Sequence, residues 1–149
     1  MYCTLNNMHN NNNMNLYYNR PPPPTKRENF NNPAPSGLNW RDIHPQREPS
    51  QFGPHYWYML HSMALNYPVN PTMFAKQKMK AFIEAIPFLL PCKNCTEHAK
   101  EFMAQADINK ALQGKKELFT FFWNFHNLVN KRLGKQEMSF ENALNMYKG

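Results

Sequence analysis

The chain has 149 residues, enough for one domain and a tail, since domains typically contain about 100–150 residues. Its formal net charge is +7, but the twelve Lys and Arg and seven Asp and Glu from Gln51 onward are scattered, which favours a solvated surface over a nucleic-acid-binding face. No stretch approaches the roughly 18 consecutive apolar residues of a membrane span, and the N-terminus lacks the apolar core of a secretory signal, so we expect a soluble protein without a membrane span.

Residues 1–50 differ from the rest of the chain in composition. They hold twelve Asn and eight Pro, including the runs Asn10 to Asn13 and Pro21 to Pro24. Such a segment has too few apolar residues to offset its loss of conformational entropy on folding. We therefore predict a disordered arm over 1–50 and a folded domain over 51–149.

Helical periodicity begins at Gln51, and no run of alternating apolar and polar residues follows. The first helix is predicted from about Pro54, with one apolar face formed by Trp57, Leu60, His61, Ala64 and Leu65. A second is predicted from Pro71, to be kinked or stopped by Pro87 and Pro91.

Three further helices complete the pattern. A third is predicted from about Cys92 to Met103, and a fourth from about Lys116 to a C-terminal cap at Gly134. Ser139 is a candidate N-cap for a short last helix that ends at Tyr147. The predicted fold is all-α, a four-helix bundle with a short fifth helix.

A C-x-x-C motif, Cys92-Lys93-Asn94-Cys95, follows Pro91 at a predicted helix start. The dipole and free N–H groups of a helix N-terminus stabilise a thiolate, and the spacing lets both sulfurs meet across one turn. Three cysteines are too few for a disulfide scaffold, so the pair indicates redox or metal chemistry. The βαβ context of a thioredoxin-like motif is absent.

A zinc site is the main alternative for this motif. Cys92 and Cys95 could form a Cys₂His₂ set with His98 and His126, which would make the protein a zinc-stabilised helical interaction module without enzymatic activity. The spacing alone leaves both alternatives open.

A second group of polar and aromatic residues recurs at helical spacing. Trp57 and His61 are one turn apart on the first helix, and His126 and Asn130 are one turn apart on the fourth, with Asn127 beside them. Each alone is typical of a helix core. Together they bring more polar groups than a core needs, which indicates a planar, polar ligand such as an isoalloxazine or adenine ring.

Three blocks of the sequence, in this order, resemble the Erv/ALR family of FAD-dependent sulfhydryl oxidases over about 90 to 100 residues. The first contains the Gly-x-x-x-Trp-x-x-x-His spacing at Gly53, Trp57 and His61, and the second is Pro91 to Cys95. The third, His126-Asn127-Leu128-Val129-Asn130 followed by Leu133-Gly134-Lys135, is the most specific.

This resemblance implies a helical bundle that binds FAD, acts as a homodimer and oxidises protein dithiols, directly or through a thioredoxin-like carrier, with oxygen as acceptor and hydrogen peroxide as product. Cys95 would be the cysteine next to the flavin and Cys92 the outer one. Gly53, Trp57 and His61 would line the flavin. The adenine, ribose and pyrophosphate would be held by His126, Asn127, Val129, Asn130 and Lys135.

The chain departs from the family pattern in its cysteines. Cellular members often carry further structural cysteines and a shuttle pair on a flexible arm, whereas this chain has only Cys3 outside the motif. An incidental thiol is favoured over a shuttle role for Cys3, because one cysteine cannot by itself carry a substrate-derived disulfide. Small viral members are more similar in this respect. The compartment stays open, and a viral source would place the protein in the host cytoplasm or the virion.

Overall fold

A computed structural model describes residues 48–148, which form six α-helices and contain no strand. In chain order these are α1 (Pro49–Asn66), α2 (Met73–Leu89), α3 (Lys93–Gln105), α4 (Ile108–Ala111), α5 (Lys115–Arg132) and α6 (Phe140–Tyr147). The predicted all-α bundle of four long helices and a short C-terminal helix is confirmed. The predicted arm up to residue 47, with Cys3 and the four-proline run, lies outside the described residues.

The first two helices do not begin at the prolines that were predicted to start them. α1 begins at Pro49, a first-turn proline, and continues through Pro54. α2 begins at Met73 rather than at Pro71, because Thr72 caps it by accepting a hydrogen bond from the Ala75 N–H at 3.2 Å. Pro87 lies inside α2, which ends two residues later at Leu89. An interior proline removes one backbone hydrogen bond, and the surrounding packing is sufficient to keep both helices continuous.

Side-chain caps define three of the remaining helix starts. Cys92 caps α3, and Ser139 caps α6 as predicted, accepting from the Asn142 N–H at 3.1 Å. Asp107 caps the single turn of α4 by accepting from the Lys110 N–H at 2.9 Å. This four-residue helix was not predicted, because one turn is too short to show a hydrophobic period.

Two glycines at the ends of α5 meet specific steric requirements. A Cβ atom on Gly114 would lie 2.7 Å from the carbonyl oxygen of Val69, so the chain passes too close there for a side chain. Gly134 has φ of +64°, the left-handed conformation expected for the residue that follows a helix C-cap. The predicted C-terminal cap of this helix is therefore confirmed.

The core lies along α5, which contributes the buried side chains Leu118, Phe119, Phe121, Phe122 and Phe125. α1 packs against one side of α5 with Leu60 and Ala64, and Ile83 and Ile86 of α2 are buried in the same core. Burying a side chain of this size stabilises a fold by roughly 1.5–3 kcal/mol. Among residues 48–148 no helix is both long and apolar enough to cross a membrane.

Candidate functional site

Cys92 and Cys95 form a disulfide at the N-terminus of α3, with their Cα atoms 5.2 Å apart. Cys92 is also the N-cap residue, and its Sγ accepts a hydrogen bond from the Cys95 N–H at 3.2 Å. Both cysteines are half-buried and Lys93 between them is exposed. The first turn of α3 carries no acidic residue, so the helix dipole and Lys93 act together to favour a thiolate after the disulfide opens.

The segment before this disulfide is attached to α1. The Tyr56 hydroxyl donates a hydrogen bond to the backbone oxygen of Leu89 at 2.8 Å, at the last residue of α2. Pro91 then enforces an extended chain before Cys92, because a proline disfavours helical geometry in the residue that precedes it. The redox pair is therefore held in place relative to α1 as well as to its own helix.

A second cluster is built from the rings of α1, α5 and α6. Trp57 stacks face to face on His126, with ring centroids 4.1 Å apart and planes 8° from parallel. His61 Nε2 lies 3.3 Å from His126 Nδ1. The ring of Tyr147 stacks on the ring of His61, with the two centroids 4.3 Å apart. Four rings thus form a continuous series from Tyr147 through His61 and His126 to Trp57.

One polar atom of this cluster has no partner. His61 is fully buried, and its Nδ1 is the one buried side-chain nitrogen or oxygen within residues 48–148 that makes no hydrogen bond. Only one of the two facing nitrogens of His61 and His126 carries the shared proton, and in either tautomer His61 Nδ1 stays unsatisfied. Because buried polar groups are normally paired, this atom is a candidate for contact with a ligand.

Burial holds both histidines neutral. Desolvation, with a smaller contribution from the neighbouring His126, lowers the pKa of His61 from 6.5 to about 4. Desolvation likewise lowers the pKa of His126 to about 4, and the positive charge of Lys135 adds to the effect. Neutral imidazoles can stack on a planar ring and hydrogen-bond to its nitrogens without a charge to neutralise.

The remaining predicted ligand-binding residues, on α5 and in the segment that follows it, have different environments. The amide of Asn127 is bonded to the backbone of Met138, through Nδ2 to the carbonyl oxygen at 2.8 Å and through Oδ1 to the N–H at 2.9 Å. The side chain of Asn130 is 8% exposed and makes no hydrogen bond within residues 48–148. Val129 is half-buried against the core and Lys135 is exposed.

Gly53 on α1 faces open space. A Cβ atom built there would have no neighbour within 4 Å among the described atoms. The backbone at Gly53 is therefore accessible to a ligand, in contrast to the close packing at Gly114. An open glycine, an unsatisfied buried imidazole nitrogen and the Asn130 amide without a hydrogen bond are each features that a planar, polar cofactor could use, and the positive charge of Lys135 suits a phosphate group.

The ring cluster and the disulfide are connected through the core. Phe102 on α3 stacks on Phe125 at 4.7 Å between centroids, and Phe125 meets Trp57 edge to face at 5.2 Å. Cys95 precedes Phe102 by about two helical turns, or roughly 10 Å along the axis.

The structure does not assemble the zinc set of the alternative interpretation. Cys92 and Cys95 are bonded to each other, His98 is exposed on α3, and His126 belongs to the ring cluster. Within residues 48–148 no group of three or more His, Cys, Asp or Glu side chains is arranged to hold a metal ion.

Two residues near the cluster were not singled out from the sequence. Tyr147 covers His61, and Trp123 Nε1 donates to the Met138 carbonyl oxygen at 2.8 Å. The Ser139 cap correctly predicted the helix that carries Tyr147, but which ring Tyr147 meets depends on how α6 folds back on α1.

An all-helical scaffold with a single C-x-x-C disulfide at a helix N-terminus defines a thiol oxidoreductase of a class distinct from the thioredoxin-like βαβ proteins. The sequence profile of the Erv1 / Alr family matches residues 54–148, which include every described residue of both clusters. The chain therefore belongs to the Erv1 / Alr family.

Individual similar proteins agree with this assignment. The chain is 38% identical over 101 residues, 68% of each chain, to the candidate FAD-linked sulfhydryl oxidase 096R of Invertebrate iridescent virus 3. It is 37% identical over 93 residues, 59% of this chain and 84% of the relative, to the candidate FAD-linked sulfhydryl oxidase 347L of Invertebrate iridescent virus 6. The relatives thus include viral proteins, as the resemblance implied.

Solved structures give the same result for the fold. The yeast Erv1 core superposes with a TM-score of 0.64 and 27% sequence identity, over 76% of this chain and 94% of that one. The FAD binding domain of Erv1 from Saccharomyces cerevisiae superposes with a TM-score of 0.62 and 29% sequence identity, over 68% of this chain and 95% of that one.

Proposed function

We propose that this protein is an FAD-dependent thiol oxidase that forms disulfides in protein substrates. The observation that carries the proposal is the Cys92–Cys95 disulfide at the N-terminus of α3, on the scaffold of the Erv1 / Alr family. A disulfide within one helical turn can open and close without a change of fold.

The chain's own residues carry out the exchange with the substrate. A substrate thiolate attacks Cys92 Sγ, the Cys92–Cys95 bond breaks, and Cys95 leaves as a thiolate that the N-terminus of α3 stabilises. The second substrate thiol, as a thiolate, attacks the mixed disulfide at the substrate sulfur and releases Cys92. One substrate dithiol becomes a disulfide, and its two electrons now reside in the reduced cysteine pair.

The chemistry that FAD would supply when bound is the two-electron oxidation of this dithiol back to the disulfide, with oxygen as acceptor and hydrogen peroxide as product. We assign Gly53, Trp57 and His61 to the flavin side of the site, and His126, Val129, Asn130 and Lys135 to the adenine, ribose and pyrophosphate side. The open face of Gly53, the unsatisfied His61 Nδ1 and the free Asn130 amide support this assignment. Asn127, which the resemblance also assigned to the nucleotide, instead has its amide bonded to the backbone of Met138.

Absorption and activity measurements test the proposal. Protein purified from a flavin-replete host should be yellow, should contain one FAD per chain, and should consume oxygen and release hydrogen peroxide in the presence of dithiothreitol or a reduced protein. The Cys92→Ser variant, which loses the disulfide, should bind FAD and consume no oxygen. A colourless protein with one zinc per chain would instead support the zinc module, and salt-sensitive DNA binding would support a nucleic-acid-binding protein.

The partners we propose are protein dithiols, met directly or through a thioredoxin-like carrier, and a second copy of the chain in a homodimer. Sedimentation of the FAD-loaded protein should give the mass of two chains. A single-chain mass at micromolar concentration would contradict the dimer and leave the redox chemistry unaffected.

A further inference from the structure

Three hydrogen bonds converge on the backbone of Met138, in the segment between α5 and α6. Asn127 makes two of them, one to the carbonyl oxygen at 2.8 Å and one from the N–H at 2.9 Å. Trp123 Nε1 donates the third, to the same carbonyl oxygen at 2.8 Å. Asn127 is 7% exposed, and loss of its amide would leave the Met138 N–H without this partner, while the Met138 carbonyl oxygen would keep the bond from Trp123. The position of Met138 is therefore set by two side chains of α5.

The other end of the same segment is fixed by the backbone. The Lys135 N–H donates to the carbonyl oxygen of Asn130 at 2.8 Å, and Gly134 takes the left-handed conformation that allows this turn. The backbone of Lys135 is thus the anchor at this end of the segment and Met138 is the anchor at the other, although the Lys135 side chain is exposed. Its positive charge contributes, after desolvation, to the lowered pKa of His126.

We propose that Asn127 is a positioning residue that fixes the segment 134–138, so that Lys135 meets the pyrophosphate of the cofactor. This inference rests on the proposed function. The amide of Asn127 is engaged with the backbone, because each of its two polar atoms makes a hydrogen bond to Met138. Asn130, one turn further along α5, has an amide that makes no hydrogen bond within residues 48–148.

The test is a double-mutant cycle on FAD affinity, measured by titrating flavin-free protein with FAD and following the quenching of flavin fluorescence. Asn127→Ala and Lys135→Met should each weaken FAD binding by about tenfold, or ~1.4 kcal/mol. The double variant should bind FAD no more weakly than Lys135→Met alone, because Asn127 acts through Lys135. Asn124→Ala, an exposed position on the same helix, is the matched control and should keep wild-type affinity.

A second variant and a second readout separate positioning from general destabilisation. Trp123→Phe keeps an aromatic ring against Phe140 and removes the donor to Met138 together with part of the ring volume, so FAD binding should weaken about two- to threefold. Hydrogen exchange at the Met138 amide should accelerate in Asn127→Ala while the amides of Phe119 and Phe122 stay protected.

Two results would overturn the inference. The first is that the losses of FAD affinity from the two single substitutions add in the double variant. The second is that Asn127→Ala shows fast hydrogen exchange at Met138 but keeps wild-type affinity for FAD. Either result leaves the proposed function intact, provided that wild-type protein binds FAD. Wild-type protein that binds no FAD would overturn the proposed function and this inference together.

Discussion

Trp57 of α1 and His126 of α5 lie face to face, 4.1 Å apart and 8° from parallel. Both rings are half-buried, so each is accessible at part of its surface. The pair joins two long helices and also ends the series of rings that begins at Tyr147. It therefore belongs to both the core and the proposed cofactor site, and removing either ring should affect both.

Trp57→Ala and His126→Ala are expected to lower the FAD content of the purified protein strongly. Each removes a ring of the proposed cofactor site and leaves a cavity or an unpaired polar neighbour. The ratio of flavin to protein absorbance measures the loss, and far-UV circular dichroism should show that the helices remain.

The control for these variants is His98→Ala, an exposed histidine on α3. It should retain full flavin content, whereas a Cys₂His₂ zinc site would need His98 and His126 equally. Full FAD occupancy in both Trp57→Ala and His126→Ala would show that the cofactor lies elsewhere.

Cys92→Ser and Cys95→Ser should each abolish dithiol oxidation while FAD stays bound. In Cys92→Ser, the free Cys95 thiolate beside the flavin should give a long-wavelength charge-transfer band in the absorption spectrum. Cys95→Ser should lack the band. The opposite pattern would exchange the roles of the inner and outer cysteine.

Stability should fall as the pH falls from about 6.5 to 4. His61 and His126 each have a pKa of about 4 in the folded protein, against 6.5 in the unfolded chain. Between these values the unfolded state binds more protons, so their contribution is fully present above pH 6.5 and is lost as the pH falls towards 4.

Urea unfolding of flavin-free protein at pH 7 and pH 4.5 checks this expectation. A variant with His61→Gln and His126→Gln should lose less stability between the two pH values than the wild type. His98→Gln, at an exposed site, should keep the wild-type difference. An equal pH dependence in the double variant would mean that the two imidazoles are not the groups that titrate.

Gly53→Ala and Gly114→Ala should have opposite effects on the fold. At Gly53 the added methyl meets no atom within 4 Å, and alanine favours a helix by about 0.5–1 kcal/mol, so flavin-free protein should become more stable. FAD binding should nevertheless weaken, because the methyl occupies the proposed cofactor space. At Gly114 the methyl would lie 2.7 Å from the Val69 carbonyl oxygen, and a loss of about 1–3 kcal/mol is expected.

Urea unfolding and FAD titration of both variants distinguish these effects. Unchanged FAD affinity in Gly53→Ala would remove Gly53 from the site. Unchanged stability in Gly114→Ala would show that the backbone at Val69 moves freely.

The helices and the redox motif could be predicted from local sequence, because a helix repeats every 3.6 residues and its ends depend on neighbouring residues. Ser139 and Gly134 were correctly placed as a cap and a helix terminator. The same local reasoning placed the starts of α1 and α2 at Pro54 and Pro71 instead of Pro49 and Met73, since a proline favours an early position in a helix without fixing the first residue.

What only the tertiary structure decided is which polar groups find partners. Asn127 and Asn130 look equivalent in the sequence, yet Asn127 is bonded to Met138 while the Asn130 side chain has no hydrogen bond within residues 48–148. Their roles diverge because the segment after α5 folds back onto one of the two positions. Local periodicity predicts which face of a helix is buried. The residues that cover this face come from elsewhere in the chain, and tertiary packing decides which residues they are.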